Sequence, residues 1–327
     1  MNKTVLMVLT GVIFLGCIAS PNQIQAHELK LVRIAAYKGD AAALVYIAKD
    51  MGFFEKNGLN VSISDFASGR LAMESMLEGN EDLATSANMV FVTESFNEPD
   101  LRVLASVSLF GLNNMVIRVD GEVKDIEDIS GKRVGLSKKS SSEFFFHRYL
   151  TLKDLGNLNV TYVDMNPQTI KESIINGSYA VVVTWDPYTY EIQKVLGPKV
   201  MVIPIQGSQK VNFLLSTKKK WLENNPDDAE KILKSLIEAS QWINADTERA
   251  KDYFLNRFNY EREYLSYSWD KCTYQVTLKQ SLLIAMDEQA EWMIKQGYTN
   301  TTDIPNYLEL VDEGPLEEID PKSVTII

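Results

Sequence analysis

The sequence predicts an α/β protein with room for two domains or two lobes, and three observations carry that prediction. Strand-like and helix-like stretches alternate from Leu31 onward, the pattern of βαβ units. A unit of Leu-Asn-Val strand, loop, amphipathic helix, glycine and strand occurs twice. Further strand-like runs lie on either side of the second copy, placed to carry a chain between lobes. The 327 residues, 45% of them hydrophobic, supply a sizeable core. A net charge of −11 argues against nucleic acid, which selects a basic face.

Residues 1–26 read as a targeting segment. Lys3 gives the positive start, and Val5 to Leu15 is an apolar run too short to be a comfortable membrane span. Two processing sites compete. Phe14-Leu15-Gly16-Cys17 is similar to a bacterial lipobox, which would leave Cys17 as a lipidated first residue. Ile24-Gln25-Ala26 before His27 is an ordinary cleavage site. Either reading puts the protein outside the cytoplasm, in the periplasm or at the cell surface. Cys17 and Cys272 are the only cysteines; with Cys17 lipidated or removed, Cys272 is alone, so no disulfide framework, cysteine metal site or thiol redox pair can form within the chain.

The elements follow in order. Leu31 to Ala36 is a strand, and Ala41 to Lys56 a helix with Leu44, Ile47, Ala48 and Met51 on one face. Gly58 ends that helix. Leu59 to Phe66 alternates as a strand. Ser68-Gly69 opens a helix that Gly79 closes, before the strand Asp82 to Thr85. Leu101 to Leu109 and Asn114 to Val119 are strand-like, as are Val200 to Ile205 and Val211 to Leu215. From Pro226, capped by Asn225, the pattern is helical almost to the end. The acidic tail after Asp312 reads as coil. The repeat matches Phe53–Ser86 to Leu150–Trp185: Val61 lies 18 residues before Gly79, and Val160 lies 17 before Gly177. Generic βαβ units without any pairing of lobes carry the same pattern.

Four stretches in order narrow the choice. They are Ala48 to Val61 (AKDMGFFEKNGLNV), Ser68-Gly69 to Thr85, Ile126 to Gly135 (IEDISGKRVG) and Trp185-Asp186-Pro187-Tyr188. Together, behind a signal peptide, they resemble the substrate-binding proteins of ABC importers of the nitrate/sulfonate/taurine type. The resemblance spans most of residues 30 to 300. It implies a two-lobed, type II periplasmic-binding-protein fold, each lobe a mostly parallel sheet flanked by helices. Residues 27–113 and 209–327 would form the first lobe and 114–208 the second. It further implies a small-molecule ligand in the cleft, closure like a hinge, and a membrane permease as partner. A monomer is expected, with no cofactor and no metal.

In that frame the ligand meets loops after strand ends and first turns of helices. Ser140-Ser141-Ser142-Glu143 has capping-box spacing, Ser140 as cap and Glu143 reaching back to the cap amide. The amides of Ser141 and Ser142 are then free at a positive helix end, a seat for sulfonate, phosphate or carboxylate. A well-capped surface helix explains the same residues without a ligand. Trp185 and Tyr188 suit the wall of an apolar pocket, while Asp186 suits either a helix cap or a cationic group on the ligand. Tyr37 could donate or stack. Ser68 and Gly69 offer backbone donors at close approach, with Arg70 beside them read as solvated. Thr85, Ser86 and Asn113 complete the candidate set, Asn113-Asn114 lying at a lobe crossing. His147, among aromatics inside a helix, reads as packed.

Two further classes share this scaffold: an enzyme and the ligand-sensing partner of a membrane protein. Thiamine-pyrimidine synthases are similar to this family but rely on histidine and a cysteine-rich motif; here the mature chain offers two histidines at most, and Cys272 has no cysteine neighbours. No nucleophile elbow, HExxH motif or Walker loop occurs. A ligand-sensing role would need a separate membrane partner.

Overall fold

In the computed structural model, residues 30–327 are described. The targeting segment, Cys17 and His27 lie outside the described residues. Among the described residues there are twelve strands: β1 (Leu31–Tyr37), β2 (Asn60–Phe66), β3 (Leu83–Ala87), β4 (Leu101–Phe110), β5 (Asn113–Arg118), β6 (Arg133–Leu136), β7 (Thr161–Asp164), β8 (Val181–Trp185), β9 (Val200–Pro204), β10 (Val211–Lys218), β11 (Cys272–Lys279) and β12 (Val324–Thr325). They form two sheets, ordered β12-β11-β4-β10-β3-β1-β2 and β7-β6-β8-β5-β9. In the first, β1 runs parallel to β2 and β3, and β10 runs antiparallel to β3. In the second, β6 runs parallel to β7 and β8, and β5 runs antiparallel to β8. The orders β10-β3-β1-β2 and β5-β8-β6-β7 are therefore the same arrangement built twice. The repeat seen in the sequence is its trace: Gly79 and Gly177 close corresponding helices, Gly69–Leu77 and Pro167–Ile175, with φ of 87° and 82°.

Three expectations about elements are corrected. The helix expected over Ala41 to Lys56 is two pieces, Ala43–Asp50 and Phe53–Lys56, because Gly52 turns left-handed between them at φ 73°. Gly58 does end the second piece. Its amide donates to Glu55 O at 3.0 Å and that of Leu59 to Phe54 O at 2.9 Å, a Schellman pair. The region after Pro226 is not helical throughout. β11 interrupts it and pairs with β4 inside the first sheet, with Tyr274, Val276 and Leu278 buried. The acidic tail is not coil either. Gly314–Ile319 is a helix whose Leu316 is buried, and β12 adds a last parallel strand to β11.

The chain passes between the sheets twice, at residues 111–112 and again at 205–210. Buried Gln206 ties the two crossings together. Its Nε2 donates to Phe110 O and Gln209 O, both at 2.7 Å. Its Oε1 accepts from the Asn113 amide at 3.2 Å and from Asn113 Nδ2 at 2.8 Å. Behind the crossings, the helix Gln280–Lys295 packs on the helix Ser141–Leu152. Trp292 meets Phe144 edge-on, and its indole donates to His147 Nδ1 at 3.2 Å. Burial holds the His147 ring near pKa 4, so it is neutral and packed at ordinary pH. No helix among the described residues is long and apolar enough to cross a membrane.

Candidate ligand-binding site

A cavity of about 360 Å³ opens between the two sheets, on the side where the parallel strands end. The first lobe contributes Tyr37 at the end of β1 and Asp40 just after it, Ser68 to Leu71 at a helix start, and Phe110, Phe213 and Tyr274 from strands. The second contributes Ser137, Ser140 and Ser141, then Asp164 to Pro167, then Trp185 and Asp186. The Tyr37 and Phe110 rings stand 5.8 and 6.0 Å from the Phe213 ring. The wall thus presents five aromatic rings, Tyr37, Phe110, Trp185, Phe213 and Tyr274, among serines and charged groups, a make-up that suits a small molecule with both apolar and polar parts.

Seven of the residues singled out from the sequence lie on that wall: Tyr37, Ser68, Gly69, Ser140, Ser141, Trp185 and Asp186. The other five stand behind it. Thr85 Oγ1 accepts from the Tyr37 amide at 3.0 Å. Ser86 lies beneath Gly69, so close that a Cβ on Gly69 would sit 2.8 Å from Ser86 Cα. Ser142 is fully buried and donates to Asn113 Oδ1 at 2.6 Å, which joins the helix start to β5 and, through Asn113, to Gln206. Tyr188 meets the Trp185 ring edge-on at 6.1 Å.

The capping box at Ser140 forms by half. Ser140 Oγ accepts from the Glu143 amide at 3.4 Å, as expected. Glu143 does not reach the cap amide. Its Oε2 accepts from the Lys139 amide and its Oε1 from the Tyr298 hydroxyl, both at 2.6 Å. Tyr298 belongs to the segment after the helix Gln280–Lys295, so Glu143 is spent on a contact across the back of the cleft. The Ser141 hydroxyl is buried at the wall with no hydrogen-bond partner among the described residues.

Charge on the wall is unevenly distributed. Arg70, expected to be solvated, instead reaches across the cleft and donates to the Lys138 carbonyl. Against this single guanidinium stand the carboxyls of Asp40, Asp164 and Asp186. Asp164 accepts from the Lys138 amide at 2.8 Å. Asp40 is buried, and burial raises its pKa to about 6 against the pull of Tyr260, the Ala41 amide and Tyr264. Asp186 is raised to about 6 by burial as well, with the charge of Asp40 adding to the effect and Lys271 opposing it. Asp186 Oδ1 accepts from the Tyr190 amide at 3.0 Å, while Oδ2 has no partner among the described residues. Asp40 was missed from the sequence because its burial depends on Tyr260 and Tyr264, distant in the chain. No group of three or more His, Cys, Asp or Glu is placed to hold a metal ion among the described residues.

Comparison with known proteins agrees with this architecture. The sequence profile described as "NMT1/THI5 like" matches residues 41–250, more than half of the chain. The chain belongs to the NMT1/THI5-like family. A curated relative from Bacillus subtilis (strain 168), named "Putative aliphatic sulfonates-binding protein", is 26% identical over 260 residues, covering 77% of each chain. The crystal structure of the periplasmic aliphatic sulphonate binding protein SsuA from Escherichia coli superposes with a TM-score of 0.72 at 15% identity. It covers 88% of this chain and 99% of that one. The periplasmic nitrate-binding protein NrtA from Synechocystis PCC 6803 gives 0.69 at 15% identity, with 89% and 88% covered. This NMT1/THI5-like chain therefore has the two-lobed periplasmic-binding-protein fold, and its cavity lies in the cleft between the lobes.

Proposed function

We propose that this protein is the extracytoplasmic substrate-binding protein of an ABC import system. It is a non-enzymatic receptor that holds a small organic molecule between residues 27–113 with 209–327 on one side and 114–208 on the other. Hinge closure then presents the ligand to a membrane permease. The observation that carries the reading is a cavity walled by both lobes and placed beside the two crossing segments, so that bending there opens or shuts it. The names of the relatives support the same role. They also put sulfonates and nitrate into the set of ligands to try, since Ser141 at the helix start and Arg70 on the wall offer donors to an anion.

Small-angle scattering with a stabilising ligand tests the reading. The radius of gyration is expected to fall on saturation; an unchanged profile removes the closure step. The ligand is found by a thermal-shift screen over sulfonates, nitrate, aromatic acids and organic amines. A ligand at 100 times its Kd stabilises by about 2.7 kcal/mol, which is readily seen. Turnover of a stabilising compound without any permease would favour an enzyme instead. The same reading has the protein act as a monomer outside the cytoplasm, either tethered by a lipid on Cys17 or released by cleavage after Ala26. Mass spectrometry distinguishes a lipid on Cys17 from a mature terminus at His27.

A further inference from the structure

The ligand's charge can be argued from the wall itself, given the receptor reading above. Asp186 is only 4% exposed and lines the cavity, yet its Oδ2 accepts from no donor among the described residues. Tyr267 acts on Asp186 as a neighbouring hydroxyl that favours its charged form, and Lys271 acts through its charge, but neither meets hydrogen-bond geometry at Oδ2. Lys271 is instead stacked over the Tyr267 ring, 3.1 Å from its centroid. Asp40, 5% exposed, lines the same cavity and receives the Ala41 amide at 3.0 Å and two tyrosine hydroxyls at 3.3 and 3.4 Å. A buried carboxylate oxygen without a donor is costly, and a ligand nitrogen would supply the missing one. Aromatic faces complete the fit: Trp185 adjoins Asp186, and Tyr37, Phe110 and Phe213 stand together on the opposite lobe. Rings of this kind attract cations as well as flat apolar bodies. The one guanidinium on the wall, that of Arg70, is bonded to a backbone carbonyl of the opposite lobe, and it answers three carboxyls.

We propose that Asp186 and Asp40 form a cation-selecting subsite in the cleft, and that the ligand carries an N–H-bearing cationic nitrogen on a flat ring. Asp186 Oδ2 accepts from that nitrogen. Asp40, its hydroxyl bonds already made, adds field more than contact. Sulfonates are then poor ligands here, whatever related proteins bind.

Benzamidine and benzenesulfonate provide matched probes, one ring with opposite charges. Thermal shift and calorimetry are run on the wild type, Asp186→Asn and Asp40→Asn, with near-UV circular dichroism confirming that each variant is folded. Benzamidine is expected to stabilise the wild type and to bind Asp186→Asn about 10- to 100-fold more weakly, the loss of one charge-assisted bond. Asp40→Asn is expected to weaken it less. Benzenesulfonate is expected to give no shift in the wild type. Stabilisation by benzenesulfonate, undiminished or increased in Asp186→Asn, would overturn the proposal. So would the absence of any benzamidine shift in the wild type, or a benzamidine affinity indifferent to Asp186. None of these results touches the receptor reading, which stands or falls on ligand-dependent compaction with whichever compound binds.

Discussion

Asp186 and Asp40 place two carboxyls in the cleft that hold protons longer than ordinary ones. Both have pKa values near 6 in the fold, raised by burial above the reference of 3.8. Between about pH 4 and pH 6 the folded protein thus binds protons that the unfolded chain has released. Stability contributed by these groups falls as pH rises through that window, with a cost on the order of 3 kcal/mol for each at neutral pH. The groups facing them are the Tyr260 and Tyr264 hydroxyls and the Ala41 amide at Asp40, and Lys271, Tyr267 and the Tyr190 amide at Asp186. Asp186→Asn keeps an oxygen for the Tyr190 amide and removes the charge. The empty variant is therefore expected to melt above the wild type at neutral pH, with the gain vanishing near pH 4. Thermal melts across that range check it, and a variant that melts below the wild type at neutral pH would show that the charge is structural. Under the proposed cation subsite, the cost these carboxyls impose on the empty fold is the familiar compromise between stability and function.

At the scale of elements, the helix Gly69–Leu77 begins against the end of β3, and only glycine permits that approach. Alanine there would place Cβ 2.8 Å from the Ser86 Cα, a backbone atom that cannot move aside alone. Gly69→Ala is expected to cost about 1–3 kcal/mol, read from urea unfolding. An unchanged midpoint would mean that the helix start can shift freely. The paired units were legible in the sequence because each carries local signals: alternating strands, an amphipathic helix and a glycine at positive φ, as at Gly79 and Gly177. β11 was less legible, although Tyr274, Val276 and Leu278 alternate with Thr273, Gln275 and Thr277, because helical patterns enclose it on both sides. Trp185 and Ser141 could be singled out because they sit at ends of elements. Asp40 and the cleft-spanning Arg70 could not, since burial and partners from remote segments decide what they do.

At the scale of the molecule, Gln206 binds the two crossing segments into one unit through bonds to Phe110, Gln209 and Asn113. On the proposed closure, the lobes would turn about a joint of two crossing segments that Gln206 keeps from sliding past each other. Gln206→Ala leaves the Asn113 side chain and two carbonyls short of partners, at about 1–3 kcal/mol for each group that water does not reach. It is expected to lower the melting temperature and to broaden the distance distribution measured between spin labels on the two lobes. A distribution as narrow as that of the wild type would place the joint elsewhere. Contacts at the rear, from Trp292 to His147 and Tyr298 to Glu143, add to the constraint on the side away from the cavity.

The interleaved connectivity also has a consequence for the growing polypeptide. All five strands of the second sheet lie between Asn113 and Pro204, so that sheet is complete as soon as this stretch has been made. The first sheet cannot close so early. β10 sits between β4 and β3, and it is translated only after the entire second lobe. Until then β4, ten residues long and mostly buried in the finished protein, has no neighbour, and the β3 edge stands open. Such unpaired apolar edges invite association between chains. The nascent chain is most vulnerable during that interval, when a chaperone has one long strand to shield.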